Sequence, residues 1–177
     1  MSLLPLFLFV IIFGIIALVF IVKVFGYIYT YLFWGAIYVP TKEEKIKIMV
    51  NFLEITPGQK IVDLGAGDGR LLIALAKAGA TAYGYEVNPF LVSIARKNIK
   101  KAGLEDKAFI YLKNLWRQDL RNFDGVVIYP MAHMMARLEK KFEKELRPGA
   151  KVVSKHFVFP NWKPTKSEDD VHLYLKK

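Results

Sequence analysis

The stretch Ile61-Val62-Asp63-Leu64-Gly65-Ala66-Gly67-Asp68-Gly69-Arg70 constrains the fold more than any other part of the chain. It starts as an apolar run that reads as a strand, passes through three closely spaced glycines, and continues into a leucine-rich segment that reads as a helix. Glycines at such a junction let the backbone reverse sharply and admit a ligand within van der Waals distance of the main chain. A strand–turn–helix of this kind needs neighbours to cover it, and the rest of the sequence supplies them.

Strand-like runs at 60–64, 82–86, 108–112, 125–129, 152–159 and 171–175 are interleaved with helical stretches at 70–78, 89–102 and 131–146. Gly79, Gly103 and Pro148-Gly149 stop those helices. Thr41 and Glu44 have the spacing of a capping box, ahead of Ile46, Met49, Val50 and Leu53 on one helical face. The rhythm predicts an α/β fold of Rossmann-like type, with a mainly parallel sheet of six or seven strands covered by helices. The stripe Met131, Met134, Met135, Leu138 and Phe142 is read as core filling.

The N-terminal part follows different rules. Residues 3–22 carry no charge, and as a helix they would reach roughly 30 Å, about the hydrocarbon thickness of a bilayer. The segment lacks the basic start and small-residue cleavage site of a secretion signal. It is therefore expected to be a single transmembrane anchor over 1–22. Every Lys and Arg follows it, so the positive-inside rule keeps the remainder cytoplasmic, at a mitochondrial membrane if the source is eukaryotic. Residues 23–40 hold Phe25, Tyr27, Tyr29, Tyr31, Phe33, Trp34 and Tyr38 and read as an aromatic interfacial collar, with a second span as the alternative. That leaves 41–177 as the catalytic domain. The net charge of +10 suits an anionic leaflet or nucleic acid alike. There is no cysteine, and the three histidines are scattered, so neither a thiolate site nor a metal site is expected.

The glycine spacing is GxGxG, with Arg70 where a dinucleotide fingerprint has its third glycine, and no Gly-Lys-Ser/Thr follows. Asp63 just before the turn would repel a pyrophosphate but would attract a cation. Glu86 ends the next strand, where a carboxylate can accept hydrogen bonds from both hydroxyls of a ribose. S-adenosylmethionine has an ammonium, a sulfonium and a ribose but no phosphate, and it fits these features.

The run from Asp63 to Gly69 resembles motif I of the class I, seven-β-strand methyltransferases, and Glu86 resembles their motif II acid. Further segments narrow the resemblance: Tyr38-Val39-Pro40-Thr41, Gly84 to Pro89, Val126 to Met131, Met134-Met135, Leu138-Glu139 and Phe157 to Trp162. Together they are similar to the small membrane-anchored protein-lysine methyltransferases. That family includes archaeal lysine methyltransferases and the mitochondrial enzymes acting on the adenine nucleotide translocase and on the c-subunit of ATP synthase. The resemblance implies that Asp63, Gly65, Ala66 and Gly67 meet the methionine part of S-adenosylmethionine and that Glu86, with Asn88 beside it, meets the ribose. It implies that Asn114, Leu115 and Trp116 meet the adenine, and that Tyr38, Pro40 and Thr41 form a lid. Tyr129 and Pro130 would be the catalytic pair facing the acceptor. The tail after Trp162 shows only one clear strand, so the family's final antiparallel pair is expected to be reduced.

Two residues keep a second reading: Tyr129 as the last core residue of its strand, and Trp116 as packing. The implied acceptor is a lysine on a membrane-bound protein, methylated by a monomer without a dedicated general base. Nucleic acid is not expected, because Tyr129-Pro130 is not part of an Asp/Asn-Pro-Pro-Tyr motif. A methyltransferase for a small molecule, lipid or nucleic acid, and a non-catalytic cofactor-binding protein, remain as alternatives.

Overall fold

A computed structural model describes the backbone over 4–34 and 38–177 and the side chains over 7–26 and 38–177. The chain divides into two compact units, Met1–Ile37 and Tyr38–Lys177. In the first, helix α1 runs Leu4–Trp34, and over residues 7–22 it is apolar on every side. Within it Phe7–Gly26 is long and apolar enough to cross a membrane. The helix continues well past residue 22, because neither Lys23 nor the isolated Gly26 breaks the hydrogen-bond ladder and the next proline is Pro40. Of the collar's aromatic side chains, Tyr27, Tyr29, Tyr31, Phe33 and Trp34 lie outside the described residues.

The second unit begins with α2 (Glu43–Leu53), β1 (Lys60–Leu64), α3 (Arg70–Lys77), β2 (Thr81–Glu86), α4 (Pro89–Lys101) and β3 (Ala108–Leu112). It ends with β4 (Gly125–Ile128), α5 (Met135–Glu145), β5 (Lys151–Lys155), β6 (Lys166–Glu168) and β7 (Val171–Leu175). Among the described residues the strands form one seven-stranded sheet, ordered β3-β2-β1-β4-β5-β7-β6. The first five strands in that order are parallel, whereas β7 is antiparallel to both β5 and β6. Strand side chains alternate between two cores. Ile61, Ala82, Val127 and Val153 pack with α2, α3 and α4, while Val62, Leu64, Val126, Ile128 and Val152 pack with α5. Met134, Met135, Leu138 and Phe142 are buried in the second core, as their helical spacing predicts.

Several boundaries depart from the sequence expectation, each for a local reason. Thr41 and Glu44 form no capping box: the N-cap of α2 is Lys42, with no side-chain cap, and Glu43 and Glu44 instead place negative charge in the first turn. The expected helix over 131–146 starts as a 3₁₀ turn, Ala132–Met134, before α5. β5 stops at Lys155 because His156 adopts φ 76°, and the chain then loops to bury Phe159. The last antiparallel pair is complete: β6 is exposed along its length, so its residues Lys166–Glu168 carry no apolar alternation to read.

Candidate active site

The ends of β1 and β2 meet at the glycine turn. The Gly65 and Ala66 N–H groups both donate to the Tyr85 carbonyl, at 2.9 and 3.2 Å, which pins the turn to β2. Gly65 and Gly67 have φ values of +98° and +54°, a region that L side chains rarely adopt. A Cβ on Gly67 would come within 2.7 Å of the Tyr38 ring, so that ring lies directly on the turn. At Gly69 a Cβ would come within 3.0 Å of Ala95 in α4, so the third glycine serves helix packing even though the motif is not that of a dinucleotide site.

Glu86 is 8% exposed and its carboxylate closes the turn. Oε2 accepts from the Gly67 N–H at 3.0 Å, and Oε1 accepts from the Val87 and Asn88 N–H groups at 2.8 Å. A carboxylate has about four acceptor directions, so roughly one stays free for a ligand hydroxyl. A second hydroxyl needs one of the amide bonds to be shared. The Asn88 side chain is committed to the start of α4, accepting from Phe90 and Leu91 N–H. Asn114 is brought beside this edge by the Lys113 N–H donating to the Glu86 carbonyl at 2.9 Å. Its Oδ1 accepts from the Trp116 N–H, shaping the 3₁₀ turn Leu115–Arg117, and the Arg137 guanidinium lies 4.1 Å from the centre of the Trp116 ring.

Asp63 differs from Glu86. It is 4% exposed, and no hydrogen bond or ion pair reaches its carboxylate among the described residues. Burial, and then the charges of Glu86 and Asp68, push it up to about 8. A buried carboxylate without a donor beside an open glycine turn suits a cationic ligand group.

Two functional candidates escaped the sequence reading. Arg70 grips the Asp68 carboxylate through Nε and Nη2 and donates from Nη1 to the Thr41 carbonyl at 3.2 Å, strapping the Tyr38–Thr41 segment to the turn. Burial raises Asp68, but Arg70 outweighs it and holds the carboxyl below its ordinary range. The Tyr38 hydroxyl is raised by burial and by Asp68. The second is Lys155, whose Nζ lies 3.8 Å from the centre of the Tyr129 ring. Its only signal in the sequence is a charge closing the strand-like run Val152-Val153-Ser154. Tyr129 is half-buried just past the end of β4, and Pro130 is buried. Among the described residues no cluster of metal-ligating side chains occurs.

A parallel sheet with β7 reversed beside β5, and a glycine turn after β1 facing an acid at the end of β2, define the class I methyltransferase fold. The sequence model of the ANTKMT methyltransferase domain matches residues 63–166, and the chain belongs to that family. It is 41% identical over 127 residues to the ATP synthase c-subunit lysine N-methyltransferase of Rattus norvegicus, covering 72% of this chain and 58% of that protein. The chain thus spans little more than half the length of that relative. It is 34% identical over 148 residues to a protein-lysine N-methyltransferase of Saccharolobus islandicus (strain REY15A), covering 78% of this chain and 92% of that one. Among solved structures, the RNA methyltransferase from Salinibacter ruber, in complex with S-adenosyl-L-homocysteine, superposes with a TM-score of 0.74 at 31% identity, covering 78% of this chain and 92% of that one.

Proposed function

We propose that this protein is an S-adenosylmethionine-dependent protein-lysine N-methyltransferase, held at a membrane by α1 and acting on a lysine of a membrane protein. The observation that carries the reading is Asp63, a buried carboxylate without a donor on a glycine turn opposite Glu86. The names of the rat and archaeal relatives supply the acceptor class. In this reading Asp63, Gly65, Ala66 and Gly67 hold the cationic methionine end and Glu86 holds the ribose. Asn88 orients Glu86 and α4, while Asn114, Leu115 and Trp116 flank the adenine. In this reading α1 is the membrane anchor, and Tyr38–Lys177 form the catalytic domain on the cytoplasmic side.

When bound, S-adenosylmethionine supplies an activated methyl group on a sulfonium that is already a good leaving group. The work left to the chain is positioning. Tyr38, Pro40 and Thr41, strapped down by Arg70, keep water off the turn, and Tyr129 and Pro130 face the acceptor. A lysine must lose its proton, from a pKa of about 10.4 in water, before its nitrogen can attack. Asp170, the carboxylate beside Tyr129's neighbour Lys155, is engaged by Lys45 and Lys155 and so is poorly placed to act as a base. An apolar, aromatic entrance favours the neutral amine instead.

A second reading, RNA methylation, is favoured by the Salinibacter ruber enzyme and by the net charge of +10. Incubating the purified protein with methyl-labelled cofactor, membranes and total RNA separates the two. Label in methyllysine of a membrane-protein band supports the proposal, and label confined to RNA, lipid or a small metabolite refutes it.

A further inference from the structure

Resting on the lysine reading above, we infer that Lys155 is a positioning residue that makes the acceptor side of the site admit a neutral amine in preference to an ammonium. Ile128 and Ser154 are paired across β4 and β5, so Tyr129 and Lys155 follow them at the same edge of the sheet. The face of a tyrosine ring is a good seat for an ammonium. Here the chain's own ammonium already holds it, at 3.8 Å from the ring centre, on a side chain that is almost fully buried.

The surroundings fix that charge in place. Asp170, ahead of β7, puts Oδ2 3.4 Å from Lys155 Nζ and Oδ1 2.9 Å from Nζ of Lys45, which comes from α2. Lys45 also reaches Asp169 at 3.0 Å. His156 donates its backbone N–H to the Asp170 carbonyl at 2.6 Å and holds Nδ1 3.6 Å from the Asp170 carboxylate. Burial raises the Asp170 carboxyl, but Lys45 and Lys155 outweigh it and keep it below its ordinary range, so both cations stay paired. Two ammoniums face two carboxylates, and Lys155 is the member that touches Tyr129.

A substrate lysine arriving as an ammonium at Tyr129 meets a fixed like charge. One arriving as a neutral amine does not, and only the neutral form has the lone pair that attacks a methyl group. The arrangement disfavours the unreactive form in the ground state and so extends methyl transfer to lower pH.

The test uses the full chain in detergent micelles, methyl-labelled S-adenosylmethionine at saturation, and a membrane fraction raised until the rate no longer increases, so that the profile reports the bound acceptor. Initial rates of methyllysine formation are followed from about pH 6 to about pH 10. Lys155→Met keeps the apolar stem and removes the charge, and Lys155→Gln is a second neutral variant should the first fold poorly. In both, the acidic limb of the profile is expected to move up by about one pH unit, a roughly tenfold loss of rate near neutrality, with cofactor affinity unchanged. Lys155→Arg should restore the wild-type limb. An unmoved limb in both neutral variants, with cofactor binding intact, overturns the inference, and so does an arginine variant that behaves like the methionine one. Absence of methyllysine with the wild-type protein is seen before any substitution and overturns the lysine reading together with this one.

Discussion

Asp63 and Glu86 are both buried carboxylates at strand ends, yet only Glu86 has N–H donors on it. For Asp63 the raised folded-state value means that the native protein keeps a proton up to about pH 8, whereas the unfolded chain releases it near 3.8. Between those values the native state binds more protons, so this residue costs stability progressively as pH rises and adds no further slope above about 8. Asp63→Asn removes that cost, so its melting temperature without ligand should gain on wild type from about pH 4 to about pH 8. A constant difference across that range contradicts the assignment. For the cofactor, Glu86→Ala should weaken S-adenosylmethionine binding by ten- to a hundredfold, about 1.5–3 kcal/mol, as measured by calorimetry. Gly65→Arg should weaken it as severely through the +98° backbone and the space its side chain fills. The glycine turn and Glu86 were legible because their chemistry is written in consecutive residues. Arg70 and Lys155 were not, since their partners Thr41 and Asp170 come from distant parts of the chain and only folding brings them together.

At the scale of elements, a buried carboxylate ties α5 to the loop over 156–165. Glu139, 2% exposed, accepts from the Asn161 backbone N–H at 2.9 Å and from its Nδ2 at 3.1 Å. The same loop is seated by Phe159, packed against Phe142, Trp162 and Tyr174, with its N–H donating to the Tyr174 hydroxyl. Glu139→Ala should destabilise the domain by about 2–3 kcal/mol in denaturant unfolding, because it strands two donors and leaves a void. Glu139→Gln keeps an acceptor and should lose less. Leu138-Glu139 and the run ending in Trp162 are separate in the sequence, and the Glu139–Asn161 bond explains why the two segments belong together. Helices and parallel strands were legible from apolar periodicity. The start of α2 and the strand β6 were not, since the first depends on a backbone cap at Lys42 and the second is polar throughout.

For the whole molecule, the division into two units places the complete sheet and both cores in Tyr38–Lys177. Deleting residues 1–37, rather than stopping at 22 within α1, should give a protein that stays in the supernatant after membranes are pelleted in high salt and that binds S-adenosylmethionine with unchanged affinity. High salt is required because the remaining chain, which loses only Lys23 from a net charge of +10, is basic enough to adhere to anionic lipid by charge alone. Sedimentation of the deleted form under those conditions contradicts anchoring by α1.

The placement of β7 between β5 and β6 also sets an order of assembly. β6 precedes β7 in the chain yet has no partner in the sheet until β7 docks, and β5 keeps an open edge for just as long. The five parallel strands therefore keep an open edge at β5 until Val171–Leu175 has docked, and an unfinished sheet is most exposed to pairing with another chain along that edge.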